Sequence, residues 1–372
     1  MNVEKFLKKL DVDFFVGVPD SQLKELCNHL MYNYGLDRAH HIIAANEGNC
    51  VAIAAGYYLS TGKIPVVYMQ NSGEGNIINP VASLTSSKVY SIPIIFIVGW
   101  RGKPGVHDEP QHVFQGEITL KLLEDIGIKY CVLNNELNEE SIDKNICELK
   151  KQLELGNSIA FVVEKNFFDS NIIFEYKNSY DLLREDIIEH IVKVSGNDPI
   201  ISTTGKTSRE LFEIREKLKQ THNKDFLTVG SMGHASSISL GIALNSKKRI
   251  WCIDGDGAAI MHLGAMTTIG YYNPKNLIHI IINNESHESV GGQPTVASKI
   301  DFVNIAKSCG YQYAVCVDNL DEFDIILNEI LSKNILCFIE VKSKIGSRTN
   351  LGRPTLKPAE NKERFMRFIN FE

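Results

Sequence analysis

Apolar residues along this chain gather in short unbroken runs, and between the runs lie longer stretches in which they recur every three or four positions. In the first half the runs fall at 14–18, 41–44, 64–69, 92–98, 129–133 and 159–163, with helical spacing at 21–33, 47–60, 76–87, 117–125 and 138–155. The second half repeats the rhythm. Runs at 199–202, 226–229, 250–253, 277–282, 311–317 and 335–341 alternate with helical segments at 180–194, 206–218, 235–244, from 258 onward, 302–308 and 320–331. A run that is apolar at every position suits a strand covered on both faces, and strands alternating with helices suit a parallel sheet. The pattern predicts an α/β protein of two parallel-sheet domains, 1–165 and 180–372, joined by a linker at 166–179 that follows neither period. The two halves show no close sequence repeat. The tail from Lys342 is basic, rich in Gly and Pro, and ends in a short helix; it reads either as a solvated arm or as a lid carrying substrate contacts.

Composition narrows the partners. A chain of 372 residues with 44% hydrophobic and 23% charged positions can bury two substantial cores. A net charge of −6 without a long basic block argues against nucleic acid as a partner, so any anionic ligand must be held by local basic groups. The eight cysteines are scattered without CxxC spacing and read as reduced core residues. The opening MNVEKFLKKLDVDF lacks an apolar signal core, and no run approaches membrane-spanning length. The expectation is a cytoplasmic protein with no membrane partner.

The stretch from Arg249 to Thr295 carries the most specific chemistry. Its first strand ends in Gly255-Asp256-Gly257 and its second in Asn283-Asn284. Ligands of parallel sheets sit at the carboxyl ends of strands, which is where Asp256 and Asn284 fall. A carboxylate and an amide oxygen are hard ligands, and flanking glycines admit a phosphate, so the pair suits Mg²⁺ bridging a diphosphate. A lone GDG is common; Asn-Asn after the neighbouring strand is what sharpens it. In the first half, Ala45-Asn46-Glu47-Gly48-Asn49 follows a strand and opens a helix, where a glutamate is either a dipole-stabilised end residue or a buried acid. Arg101, His107, Asp108 and His112 cluster after the strand 92–98 as a possible proton relay and anion site, although a lone loop histidine is more often ordinary. Thr204-Gly205-Lys206 lacks the first glycine of a P-loop, which leaves an anion site but no triphosphatase. Gly17-Val18-Pro19-Asp20-Ser21 supplies no GxGxxG, so a nicotinamide dehydrogenase is rejected.

These motifs together resemble the thiamine diphosphate enzymes: GDG with Asn-Asn is similar to that family's metal and diphosphate motif, and Asn46-Glu47-Gly48 to its glutamate motif. The compact order, with GVPDSQLK, GWRGKPGVHDEPQH, STTGKTSREL, HESVGGQPT and LGRPTLKP, resembles the branch that decarboxylates phosphonopyruvate or sulfopyruvate, which lacks the middle domain of larger relatives. The resemblance implies a pyrimidine-binding domain followed by a diphosphate-binding domain, with thiamine diphosphate and Mg²⁺ as cofactors. It assigns Glu47 to the pyrimidine, Met232 to propping the bent cofactor, and Gly255, Asp256, Gly257 and Asn284 to cofactor binding. Asp256, Asn284 and the Ser286 carbonyl would hold the metal; His112 or His287 would deliver a proton. Arg101, Lys206, Arg209, Arg348 and Arg353 are the candidates for the substrate anion. The substrate implied is a small anionic 2-oxo acid, 3-phosphonopyruvate giving phosphonoacetaldehyde and CO₂ in phosphonate biosynthesis. Sulfopyruvate is the alternative, and a carboligation is the more distant one. The working unit implied is a homodimer or larger, with cofactor at the subunit interface. Glu285-Ser286-His287-Glu288 departs from the branch, which more often carries small residues or Asp there.

Overall fold

The computed structural model describes residues 1–371, and these separate into two compact units: Met1–Glu175 with Val290–Gln293, and Tyr176–Ser289 with the chain from Pro294 onward. The first contains α1 (Val3–Leu10), β1 (Phe15–Gly17), α2 (Lys24–Tyr34), β2 (His41–Ile43), α3 (Glu47–Thr61), β3 (Val66–Gln70), α4 (Glu74–Pro80), β4 (Ile95–Gly99), α5 (Pro110–Asp125), β5 (Lys129–Leu133), α6 (Glu139–Glu154) and β6 (Ile159–Val163). Its strands form one parallel sheet in the order β2-β1-β3-β4-β6-β5. The second contains α7 (Arg184–Ser195), β7 (Ile200–Ser202), α8 (Lys206–Lys217), β8 (Asp225–Leu227), α9 (Ala235–Ala243), β9 (Ile250–Gly255), α10 (Asp256–Met261), α11 (Ala265–Tyr272), β10 (Leu277–Asn283), α12 (Phe302–Cys309), β11 (Tyr313–Val317), α13 (Leu320–Leu331), β12 (Cys337–Lys342) and α14 (Pro358–Phe371). Its parallel sheet runs β8-β7-β9-β10-β12-β11.

Taken from the first strand of each unit, the two sheets have the same strand order. The chain reverses its winding between β1 and β3 in one and between β7 and β9 in the other, and loops diverge there to leave a crevice at the strand ends. Continuous burial of β4, β6 and β10 reflects their central places, with helices on both faces. Apolar side chains such as Phe6, Phe15 and Phe161 fill one core, and Ile188, Trp251 and Ile280 the other.

Local chemistry decides where the functional elements begin. Asn46 caps α3, its Oδ1 accepting from Asn49 N at 2.9 Å, which puts Glu47 in the first turn. α5 starts at Pro110, earlier than the expected 117, because proline lacks the N–H that a first helical position would leave unbonded. His112 therefore lies on a helix and not in a loop. The segment expected as one helix at 76–87 is α4 followed by a π-helical turn, Val81–Thr85, beginning where Pro80 interrupts the bonding ladder. The helix expected from 258 is two, α10 and α11, with the break at His262 to Gly264.

The tail is strapped to the second unit. Arg209 donates through Nε to the Gly352 carbonyl at 2.6 Å and through Nη2 to that of Leu351, while Arg348 pairs with Glu185 at 3.0 Å and with Glu213. α14 covers the exposed edge of β8: the Asn361 amide accepts from Leu227 N at 3.1 Å and donates to the Asp225 carbonyl at 2.8 Å. No described helix is long and apolar enough to cross a membrane.

Candidate active site

In the first unit, acidic and amide side chains collect at the carboxyl ends of β1, β3 and β4. Glu47 is 5% exposed, and its Oε2 accepts from Asn76 Nδ2 at 2.7 Å. Burial raises its carboxyl above the ordinary range, and the Asn76 hydrogen bond offsets only part of this. Gly73 makes room for it: a methyl group there would lie 2.4 Å from Glu47 Cγ and 2.6 Å from Oε1. Glycine is required at that position by close approach, since its backbone conformation is an ordinary helical one.

Asp20, fully buried after β1, is a functional candidate that pattern reading passes over. Its carboxylate accepts from Gln70 Nε2 at 2.6 Å and from Gln22 N at 3.1 Å. Burial pushes its carboxyl up to about 6, against the pull of Gln70 and Arg101. Its place just before Ser21-Gln22-Leu23 reads in sequence as a helix cap, which hides the other role. Arg101 forks onto Asp108, with Nε at 2.8 Å and Nη2 at 2.5 Å, and its Nη1 donates to Ser21 Oγ at 3.2 Å. Partial burial works upward on Asp108, but the guanidinium and the Glu109 and Gly102 N–H groups hold it well below the carboxylate range. His112 is kept neutral by burial and by Arg101, with Nδ1 buried and unpartnered among the described residues.

Glu74, the first residue of α4, is also fully buried, and neither carboxyl oxygen completes a hydrogen bond of normal geometry. Burial pushes it up to about 8, the Thr119 hydroxyl and Gln115 amide offsetting only part. This favours the protonated acid at neutral pH.

The second unit brings Asp256 and Asn284 together at the ends of the neighbouring strands β9 and β10. Both are buried, at 3% and 5% exposure. Asp256 Oδ2 accepts from Thr295 Oγ1 at 2.6 Å, and Asn284 Oδ1 from Ser286 N at 3.1 Å. Burial pushes Asp256 up to about 7, the Thr295 hydroxyl and backbone N–H groups resisting. A buried carboxyl raised for want of positive charge, beside an amide oxygen and the Ser286 backbone, is the donor set a hard dication takes. The turn is also open on one side, since a side chain at Gly255 would meet nothing within 4 Å.

Met232 and His287 converge on the same turn. A methyl group at Gly257 would sit 3.1 Å from the His287 ring and 3.4 Å from Met232 Cε. Met232 is held between two left-handed residues, Ser231 (φ 55°) and Gly233 (φ 85°). Such strain in a non-glycine residue concentrates at functional loops. Burial alone lowers the His287 imidazole to about 4, so it is neutral. Glu285, also left-handed at φ 59°, accepts from Tyr176 OH at 3.0 Å and Tyr180 OH at 2.8 Å.

Both strand-end clusters have counterparts in known sequences. The profile "Thiamine pyrophosphate enzyme, N-terminal TPP binding domain" matches residues 3–136, and "Thiamine pyrophosphate enzyme, C-terminal TPP binding domain" matches 203–341. The chain is 30% identical to the phosphonopyruvate decarboxylase of Streptomyces viridochromogenes, over 98% of its own length and 93% of the relative's. This chain belongs to the thiamine pyrophosphate enzyme family. Within this family, the sulfopyruvate decarboxylase of Methanosarcina acetivorans is 28% identical, with 98% and 95% coverage. The beta subunit of the sulfopyruvate decarboxylase of Methanocaldococcus jannaschii is 37% identical across 50% of this chain and 96% of that subunit. A relative made of separate subunits accords with the division of this enzyme into two units of like topology. The two sheets are the two thiamine diphosphate-binding domains, with no middle domain between them.

The basic residues expected at the substrate are spread over both units and already engaged. Arg101 lies in the first unit on Asp108; Arg209 and Arg348 hold the tail that contains Arg353. Lys206, the first residue of α8, pairs with Glu288 at 2.7 Å. Arg184, which periodicity alone placed inside a helix without comment, forks onto Glu210 at 2.6 and 2.8 Å and reaches Glu288 at 2.7 Å.

Proposed function

We propose that this enzyme decarboxylates 3-phosphonopyruvate to phosphonoacetaldehyde and CO₂, using thiamine diphosphate and Mg²⁺, as a step in phosphonate biosynthesis. The observation carrying this reading is full-length similarity to a phosphonopyruvate decarboxylase combined with a buried Glu47 in one domain and a buried Asp256–Asn284 pair in the other. Bound thiamine diphosphate supplies a carbon nucleophile and an acceptor for the electron pair released with CO₂.

The chain's own residues do the rest. Glu47, whose carboxyl burial raises above the ordinary range, would exchange a proton with the pyrimidine ring. Asp256, Asn284 and the Ser286 carbonyl would hold Mg²⁺ with the diphosphate, and Met232 would prop the bound cofactor. Asp20, His112 and His287 are the candidates to carry a proton to the product carbon: the Asp20 carboxyl is pushed up to about 6, and each neutral imidazole must first accept a proton before passing it on. Lys206, at the start of α8 with a quarter of its side chain exposed, is one candidate to meet a second anion; Arg101, Arg209, Arg348 and Arg353 complete the set. A dianionic phosphonate needs several such donors.

The active assembly in this proposal is a cytoplasmic homodimer or larger oligomer. Sulfopyruvate is the second reading, supported by relatives of similar coverage and by the like shape of the two tetrahedral anions. The test is product identification: phosphorus NMR of the protein with cofactor, Mg²⁺ and phosphonopyruvate should show phosphonoacetaldehyde. Persistence of the substrate while sulfopyruvate is consumed would move the enzyme to the sulfonate.

A further inference from the structure

Glu288 gathers three elements of the second unit onto one carboxylate. Its Oε2 accepts from Asn284 Nδ2 at 2.9 Å and Arg184 Nη1 at 2.7 Å, and its Oε1 accepts from Lys206 Nζ at 2.7 Å. The side chain is 8% exposed. An ionised carboxylate only accepts hydrogen bonds, so the face that Asn284 turns to it must be the NH₂ group. The Asn284 oxygen therefore points away, where it receives Ser286 N at 3.1 Å. The Ser286 N–H and the Glu288 carboxylate fix the amide from its two ends, and without the carboxylate only the single Ser286 bond opposes a flip or rotation.

The same carboxylate reaches Lys206 at the start of α8, a helix of 12 residues. Gly205, just before it, is left-handed (φ 87°) and lies against the residue after Glu288: a methyl group there would come within 2.9 Å of Ser289 Oγ. Arg184 is fixed separately by Glu210, so Glu288 is a bridge between the metal loop and α8 and not a mere counter-ion to a stray arginine.

The geometry points to Glu288 as a positioning residue that sets the Mg²⁺ affinity of the diphosphate domain by holding Asn284 with its oxygen turned to the metal. Residues that orient a ligand from behind typically change metal affinity about 10- to 100-fold when lost. The inference rests on the reading of Asp256, Asn284 and the Ser286 carbonyl as the Mg²⁺ ligands.

Titration calorimetry of Mg²⁺ into the full-length protein with saturating thiamine diphosphate tests it. Wild type should bind Mg²⁺; Glu288→Gln, whose amide can face Asn284 with either atom, should bind about 10-fold or more weakly. Glu288→Asp, which keeps the charge but withdraws it by one methylene, should fall between them. Raised Mg²⁺ should bring kcat of both variants back toward wild type, which a simply loosened fold would not show. Mg²⁺ affinity within twofold of wild type in both variants overturns the role of Glu288, and if Glu288→Gln does not fold, parity in Glu288→Asp alone does so. Absence of Mg²⁺ binding by wild type instead overturns the metal-site reading, and this inference with it.

Discussion

Asn76 donates its side-chain amide to Glu47 across 2.7 Å, joining the first helix after β2 to the first helix after β3. The bond leaves Glu47 buried with one oxygen engaged and the other against Gly73. The Glu47→Gln variant should therefore keep its fold and lose turnover by about 10²- to 10⁴-fold, the usual contribution of a positioned proton carrier. Steady-state CO₂ release, alongside calorimetric cofactor binding, measures this. Turnover within tenfold of wild type would remove Glu47 from the proton path.

Gly73 and Gly75 lie two residues apart and should respond oppositely to alanine. At Gly73 the added methyl group meets Glu47 Cγ at 2.4 Å, so the variant should lose about 1–3 kcal/mol and most of its activity, since Glu47 must move. At Gly75, helical and open, alanine should be neutral or stabilising by up to about 1 kcal/mol. Urea unfolding of the two variants checks both signs.

Glu74 makes the first domain sensitive to pH. Its folded carboxyl, raised from 4.5 to about 8, binds a proton that the unfolded chain has already released. Its contribution is thus fully present below about 4.5 and is lost as pH rises through about 8, at up to about 1.4 kcal/mol per pH unit between. Glu74→Gln should remove that slope and be at least as stable as wild type at pH 8. Denaturant midpoints at several pH values read the difference; an unchanged slope would show that Glu74 is ionised in the folded protein.

The sequence made the backbone of the site legible and left its charge pairing obscure. Asp256 and Asn284 could be placed at neighbouring strand ends because two unbroken apolar runs stop at glycine and asparagine, and the sheet order bears out that adjacency. The equal strand order of the two sheets could be read only as a rhythm, since periodicity shows strands but not their partners. Burial by distant residues has no local signature, so neither Asp20 nor Glu74 stood out from the polar stretches in which they lie. The partners of Arg101, Arg209 and Arg348 were invisible for the same reason. Arg209 lies more than a hundred residues before Leu351 and Gly352, whose carbonyls it holds. His112 was placed in a loop because helical spacing was read only from 117, although Pro110 suits a first helical position and α5 begins there.

The most direct measurement is CO₂ release by the purified protein with thiamine diphosphate and Mg²⁺, with phosphonopyruvate, sulfopyruvate and pyruvate compared side by side. The account predicts release from phosphonopyruvate well above the other two, abolished by removing either cofactor. Release that favours sulfopyruvate or pyruvate, or an unchanged rate without Mg²⁺, would contradict it.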